Sequence, residues 1–145
     1  MKTMKKIFTL FTVLFASMFA FGQSIPELSF RNPVLVSGTA GQTGASYRFS
    51  NAAAGIDALV TISNKSASTV VVNNIDKTSA GWDKAFQPEL GFNGTVAANQ
   101  NWWVEFSIQF VAAGSTSPVS FSSFVAAAFD LVGDGPCLRE WDYMR

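Results

Sequence analysis

The chain contains 145 residues, with one Cys, no His, and ten basic residues balanced by ten acidic ones. The absence of His excludes Ser-His-Asp catalysis, Cys-His catalysis and zinc sites built on imidazole. A single Cys excludes disulfide frameworks and metal sites made only of cysteines.

The first 22 residues have the features of a secretory signal peptide. A start with three lysines precedes an apolar run over residues 7–19, and Ala20-Phe21-Gly22 is a small-x-small cleavage site. The apolar run is shorter than the roughly 20 residues that a membrane-spanning helix needs. Cleavage would leave one domain, residues 23–145, with seven basic and ten acidic residues and a net charge of −3.

This charge balance bears on the class of partner. A mildly acidic domain without a basic cluster is a poor match for nucleic acid. Contact with a membrane is expected only through the signal peptide, because no later segment is long and apolar enough to form a spanning helix. A secreted or cell-surface location then favours an extracellular glycan or a surface protein as the partner.

Apolar and polar residues alternate with a period of two in several stretches, which predicts strands with one buried face. The clearest stretch runs from Trp102 to Phe110, where the even positions are apolar and most odd positions are polar. Residues 56–63 alternate in the same way, interrupted by Leu59, and the β-branched run 69–72 predicts a more buried strand. In chain order, seven to eight strands are expected, at residues 28–36, 46–50, 56–63, 68–75, 86–92, 102–111, 119–131 and 137–143.

Turn-forming sequences separate these stretches, and no stretch shows the apolar stripe typical of a helix. The glycine-rich segment 38–44, Asn93-Gly94 and residues 113–118 are the clearest reversals. Many short strands joined by turns predict an all-β fold, an antiparallel two-sheet β-sandwich of jelly-roll or Ig-like type. An outer-membrane β-barrel shares the period but needs an apolar outward face, whereas the polar faces here carry many Ser, Thr and Asn.

A series of motifs covers nearly all of residues 28–142. They are FRNPVLVSG at 30–38, YRFSN at 47–51, GIDALVTI at 55–62, NID at 74–76, AFQP at 85–88, VEFSIQFV at 104–111, GST at 114–116, FDLVGD at 129–134 and LREW at 138–141. In this order the motifs resemble a secreted β-module of Bacteroidetes cell-surface, adhesin-like proteins. The resemblance implies a non-enzymatic role in adhesion or surface assembly, with no catalytic residues.

Two departures from that resemblance concern the end of the chain. Val132 occupies a position where the resembling modules usually carry Asp. The chain also stops where their next strand would continue. Either a compact stand-alone relative or a truncated reading frame is expected, and truncation would leave a sheet edge unpaired.

The sharpest candidate for chemistry is an acidic cluster near the end of the chain. Asp130, Asp134 and Glu140 surround a Gly-containing turn, and Asp57 is a candidate fourth ligand. Carboxylates and turn carbonyls together are what calcium prefers, so Ca²⁺ is the expected cofactor. The alternative is a solvated turn in which Glu140 pairs with Arg139 or Arg48. A small glycoside hydrolase would use Asp57, Asp130 or Glu140, but short loops offer little material for a cleft.

Exposed tryptophans are the candidate ligand-binding residues. Trp103 falls on the polar face of its strand, and Trp82 lies in a Gly-Trp-Asp loop. Flat exposed aromatic rings stack on sugars and also contact protein partners, so a carbohydrate-binding module is the alternative function. Trp103 is otherwise expected to cover a sheet edge or pack under a loop. Trp102, Phe106 and Phe110, on the opposite face, are predicted core residues.

Overall fold

The computed structural model describes residues 25–79, 81–95, 100–121 and 123–125. These residues contain no helix, and therefore none that could span a membrane. They form six strands: β1 (Val34–Ser37), β2 (Ser46–Ala53), β3 (Ile56–Lys65), β4 (Val70–Asn74), β5 (Glu89–Phe92) and β6 (Val104–Ala112). The predicted signal peptide lies outside the described residues.

The six strands form two antiparallel sheets, so the all-β prediction is confirmed. The larger sheet has the order β1-β2-β3-β6, and β4 pairs with β5 in the smaller one. The longest ladder of the larger sheet joins β3 to β6 in a register that places Val60 opposite Ile108. The strand count is lower than predicted. Part of the 119–131 prediction and all of 137–143 lie outside the described residues.

One apolar core lies against both sheets. The alternation of β3 buries Ala58, Val60 and Ile62 on the face that also carries Phe49 of β2. Val72 of β4 and Leu90 of β5 contribute to the same cluster from the smaller sheet. The buried members of the cluster are Phe30, Ala45, Tyr47, Phe49, Ala52, Ala58, Val60, Ile62, Val72 and Ile75. The partly buried residues packed against them are Leu28, Phe86, Leu90, Val104, Phe106 and Phe110.

Strand β1 is shorter than the predicted strand 28–36, and the N-terminal residues before it do not continue the ladder. The backbone N–H of Ser29 donates to the Ala52 carbonyl, whereas that of Phe30 donates to the Lys84 carbonyl, so two different elements bind this arm. Asn32 has a φ of 50°, a left-handed conformation that interrupts an extended strand. Phe30 is buried and packs edge-on against Phe49.

The chain after β6 turns back beside that strand without forming the predicted strand in residues 119–121 and 123–125. Pro118 makes an isolated antiparallel bridge to Val111, and the Val119 N–H donates to the Phe110 carbonyl. The Phe121 ring then packs edge-on against Phe110, with centroids 4.8 Å apart. Pairing of the described part of this segment with β6 is therefore limited to residues 117–119.

The predicted core residues of β6 lie on the expected face but are only half-buried. Phe106 and Phe110 pack against the core, and Trp102 contacts Phe92 with ring centroids 6.1 Å apart. Ile108, on the same face, is exposed. The prediction that Trp102, Phe106 and Phe110 are core residues is confirmed only in part, because β6 is the last strand of the larger sheet in the described residues and this face stays partly exposed.

Candidate functional site

Of the predicted metal ligands, only Asp57 lies in the described part of the chain. The calcium prediction for Asp130, Asp134 and Glu140 falls on residues outside it. Within the described residues, no group of three or more acidic, Cys or His side chains is placed to hold a metal ion.

Asp57 is buried and accepts hydrogen bonds from three residues in two other segments of the chain, β2 and the turn after β6. Its Oδ2 accepts from Arg48 Nη1 at 2.8 Å and from the Gly114 N–H at 2.9 Å, and its Oδ1 accepts from the Asn51 N–H at 2.9 Å. Arg48 Nη2 also donates to the Ser115 carbonyl at 2.8 Å. Asp57 therefore joins β2, β3 and the turn after β6.

These hydrogen bonds favour the ionised form of the Asp57 carboxyl. The N–H groups of Gly114 and Asn51, together with Arg48, hold the pKa of the Asp57 carboxyl below its ordinary value of 3.8, against the opposing effect of burial. The alternation of β3 predicts a solvated Asp57, whereas it is 3 % exposed. That expectation was wrong because Arg48 and two backbone N–H groups replace water around the carboxylate.

The surroundings of Asp57 do not fit a metal ligand. Both oxygens face N–H donors, and a bound cation would have to displace a guanidinium or a backbone N–H from each. The role of Asp57 is therefore structural, since its hydrogen bonds join β2, β3 and the turn after β6. A calcium ion remains a prediction for the three acidic residues near the end of the chain.

Trp103 immediately precedes β6, and its backbone is fixed to the end of β3. Its N–H donates to Ser66 Oγ at 2.9 Å, and its carbonyl accepts from the Ser66 N–H at 3.0 Å. The side chain is 46 % exposed, while Val104 next to it packs against the core. Along the strand, Ser107 and Gln109 are exposed on the face that alternation assigns to Trp103.

Trp82 lies on the loop that joins β4 to β5 and is 65 % exposed. The carbonyl of Trp82 accepts from the Ala85 N–H and from Gln87 Nε2. Two residues on, the Lys84 carbonyl binds the N-terminal arm, which in turn bonds to Ala52 near the start of β3. Trp82 is thus fixed on the β4–β5 loop, whereas Trp103 is fixed to the end of β3 through Ser66.

Strand β1 is a surface that alternation did not indicate. Its three aliphatic residues are all exposed, Val34 by 60 %, Leu35 by 41 % and Val36 by 48 %. In the described residues, β2 is the only strand paired with β1, so β1 is an edge of the larger sheet. The run Val-Leu-Val does not alternate with polar residues. This lack of alternation was the sequence feature indicating that β1 does not have one core face and one solvent face.

Asp76 is a second buried carboxylate, and sequence patterns did not single it out as buried. It lies two residues after the end of β4 and is 5 % exposed. Neither of its oxygens accepts a hydrogen bond from the described residues. Burial raises the pKa of the Asp76 carboxyl above 3.8, the charge of Asp83 adds to the rise, and the nearby Gln87 N–H offsets part of it.

Comparison with known proteins gives no match. No family model, no curated protein and no solved structure is similar enough to the chain to be matched. The resemblance to Bacteroidetes surface modules stays a prediction, so the function has to be inferred from the residues described above.

Proposed function

We propose that the chain is a non-enzymatic β-sandwich module of jelly-roll or Ig-like type, secreted or held at the cell surface, that acts in surface assembly and adhesion. The observation that carries this proposal is the exposed aliphatic edge strand β1, at 41–60 % exposure for its three apolar residues. A calcium ion held by Asp130, Asp134 and Glu140 belongs to the same proposal as a stabiliser of one end of the module.

The composition of β1 favours assembly by strand addition. Among the features that keep natural edge strands from pairing, Val34–Ser37 lacks Lys, Pro and inward-pointing charges, although it is only four residues long and its register with β2 shifts between Leu35 and Ser37. An exposed edge of this kind accepts another strand through backbone hydrogen bonds. When two copies pair antiparallel about Leu35, each Val34 faces Val36 of the other copy, so only apolar residues meet across the contact.

We expect Leu35→Lys to abolish association between copies. The substitution places two lysines directly opposite each other in the antiparallel pair, and like charges there destabilise pairing. Sedimentation velocity over a wide range of concentration measures the effect: the unaltered protein should gain mass with concentration and the variant should remain monomeric.

The matched control is Ile25→Lys, which adds the same charge at an exposed position outside every strand. It should associate like the unaltered protein. At a concentration where the parent is monomeric, thermal melts of both variants should agree with that of the parent, because neither position is buried. A parent protein that stays monomeric throughout, or equal loss in the two variants, would rule out assembly through β1.

Trp103 favours carbohydrate binding as a second candidate function. Its exposed ring lies at the end of a sheet face whose exposed side chains, Ser107 and Gln109, offer a hydroxyl and an amide. Sugar rings are bound by this combination, stacking on the aromatic ring while their hydroxyls form hydrogen bonds with the polar side chains.

On this second candidate, Trp103→Ala should weaken polysaccharide binding about tenfold or more, the equivalent of about 1.4 kcal/mol. Affinity electrophoresis against a panel of polysaccharides measures the change. Trp82→Ala is the control, since Trp82 is more exposed yet lies on the β4–β5 loop and not on the strand that carries Ser107 and Gln109. Absence of binding by the parent, or equal weakening by both substitutions, contradicts a glycan site at Trp103.

A further inference from the structure

The carboxylate of Asp76 is buried at the point where β4 ends and the loop to β5 begins. The residue is 5 % exposed, and within the described residues neither oxygen accepts a well-aligned hydrogen bond, although the Gln87 N–H lies close enough to favour the ionised form. The Asp76 N–H donates to Asn74 Oδ1 at 3.1 Å, so the backbone is held in a turn that directs the residue inward. A buried ionised carboxylate without partners is costly, and a neutral acid costs far less.

No cation of the described residues is left to neutralise Asp76. Lys77, its neighbour, binds Glu89 of β5 at 2.5 Å. The remaining cations also bind other groups: Arg31 pairs with Asp83, Arg48 with Asp57 and Lys84 with Glu27, and Lys65 donates to the Gly41 carbonyl. The charged group whose field reaches Asp76 is Asp83, an acid of the same sign.

The loop that Asp76 begins is bonded to the N-terminal arm through Lys84, whose carbonyl accepts from the Phe30 N–H and whose ammonium pairs with Glu27, and through the Arg31–Asp83 ion pair. The Lys77 N–H donates to the Gln87 carbonyl at 2.8 Å and closes the loop at its base. Phe86 fills the core side, with its ring 5.1 Å from Phe106 and 6.0 Å from Phe49. Trp82, at 65 % exposure, lies between these two points. Asp76 is therefore the sequence neighbour of Lys77, whose N–H forms the hydrogen bond that closes the loop.

We propose that Asp76 is a proton-controlled latch: as a neutral acid it stays buried and holds the β4–β5 loop closed, and on ionisation it moves into water and releases the Lys77–Gln87 closure. The proton leaves to solvent, and no other group has to change. The latch does not depend on assembly through β1 or on a glycan at Trp103.

The sign of the pH dependence follows from the raised pKa of Asp76. The contribution of the closed loop to stability is fully present below the unfolded value of 3.8 and is lost as the pH rises through the higher folded pKa. Loop opening is thus expected on the alkaline side of that titration. Asp83 lies on the loop, and its negative charge moves the step further upward.

Carbon-13 and nitrogen-15 NMR of the purified protein tests the latch. The Asp76 carboxyl signal should titrate with a midpoint above 3.8, and the backbone amides of Lys77 and Gln87 should shift over the same pH interval. The Trp82 indole N–H, assigned by its loss in Trp82→Phe, should follow them. Asp76→Asn should remove the step in the amide and indole signals and should raise the melting temperature above the midpoint relative to the parent.

Asp83→Asn is the matched control, because it removes an exposed carboxylate from the same loop and leaves Asp76 in place. It should keep the step and move it to lower pH. The proposal is overturned if Asp76 titrates at or below 3.8, if the step persists in Asp76→Asn, or if the carboxyl signal responds to added calcium instead of to pH. Should Asp76→Asn fail to fold, the coincidence of the Asp76, Lys77 and Gln87 titrations in the parent decides the question by itself.

Discussion

Replacing Asp57 with alanine is expected to lower the free energy of unfolding by about 3–5 kcal/mol. The side chain is 3 % exposed, and its removal leaves Arg48, itself only 19 % exposed, without its counter-charge. The N–H groups of Asn51 and Gly114 lose their acceptor at the same time. Most of the effect is expected from the half-buried Arg48 charge left without its partner, because Asn51 and Gly114 are exposed residues whose N–H groups can bind water instead.

Urea unfolding at neutral pH measures this change, with Glu89→Ala as the control. Glu89 also accepts from a lysine, but its side chain is 38 % exposed, and surface ion pairs contribute about 0–1 kcal/mol. Equal losses in the two variants would show that the Asp57 bonds do not hold the turn after β6 in place.

The difference in stability between the parent protein and Asp57→Ala is also expected to depend on pH. The pKa of Asp57 is lowered in the folded state, so its stabilising contribution is present above its unfolded value of 3.8. It is lost as the pH falls through the lower folded pKa. The gap in stability between the parent and Asp57→Ala should therefore narrow on acidification, which is opposite in sign to the effect expected at Asp76.

Replacing Phe49 with alanine is expected to cost about 3–5 kcal/mol of unfolding free energy. Phe49 is fully buried on the central face of β2. Its ring packs edge-on against Phe30 at 5.4 Å and against Phe86 at 6.0 Å, so one substitution opens a cavity between the N-terminal arm, the larger sheet and the β4–β5 loop. The backbone cannot close such a gap from three sides.

Phe124→Ala is the matched control for this prediction, because it makes the same substitution at a ring that is half exposed. Its expected cost is about 1 kcal/mol, in proportion to the smaller apolar area removed from the folded state. Denaturant unfolding of both variants gives the comparison. If Phe124→Ala proved as damaging as Phe49→Ala, the apolar core would have to be centred nearer to the end of β6.

The positions of β2, β3 and β6 were predictable from the sequence to within a few residues. Alternation is a local property: Ala58, Val60 and Ile62 lie on one side of an extended chain whatever surrounds it. The same reasoning placed Trp103 on the face opposite Trp102, and Trp103 is indeed exposed. Strand ends were less predictable, because the N-terminal arm departs from the ladder to bond with Ala52 and Lys84.

Burial of the charged residues was not predictable in this way. Asp57 has the same place in the alternation as the solvated Ser107, yet its partner Gly114 lies 57 residues away in the chain. Nothing in the sequence distinguishes Asp76 from an exposed turn residue, and its burial depends on the tertiary packing around it. The candidate metal ligands near residue 130 lie outside the described residues, so their arrangement stays a prediction.

The sequence by itself determined the all-β class and the faces of the central strands, because the period of two is a property of each strand alone. Only the tertiary structure decided that Asp57 and Asp76 are buried and that the apolar strand β1 is exposed. Burial depends on neighbours supplied by distant segments, and the order of strands in a sheet decides which of them has a free edge. The expected functions of this protein, assembly through β1 and proton control at Asp76, rest on that second kind of information.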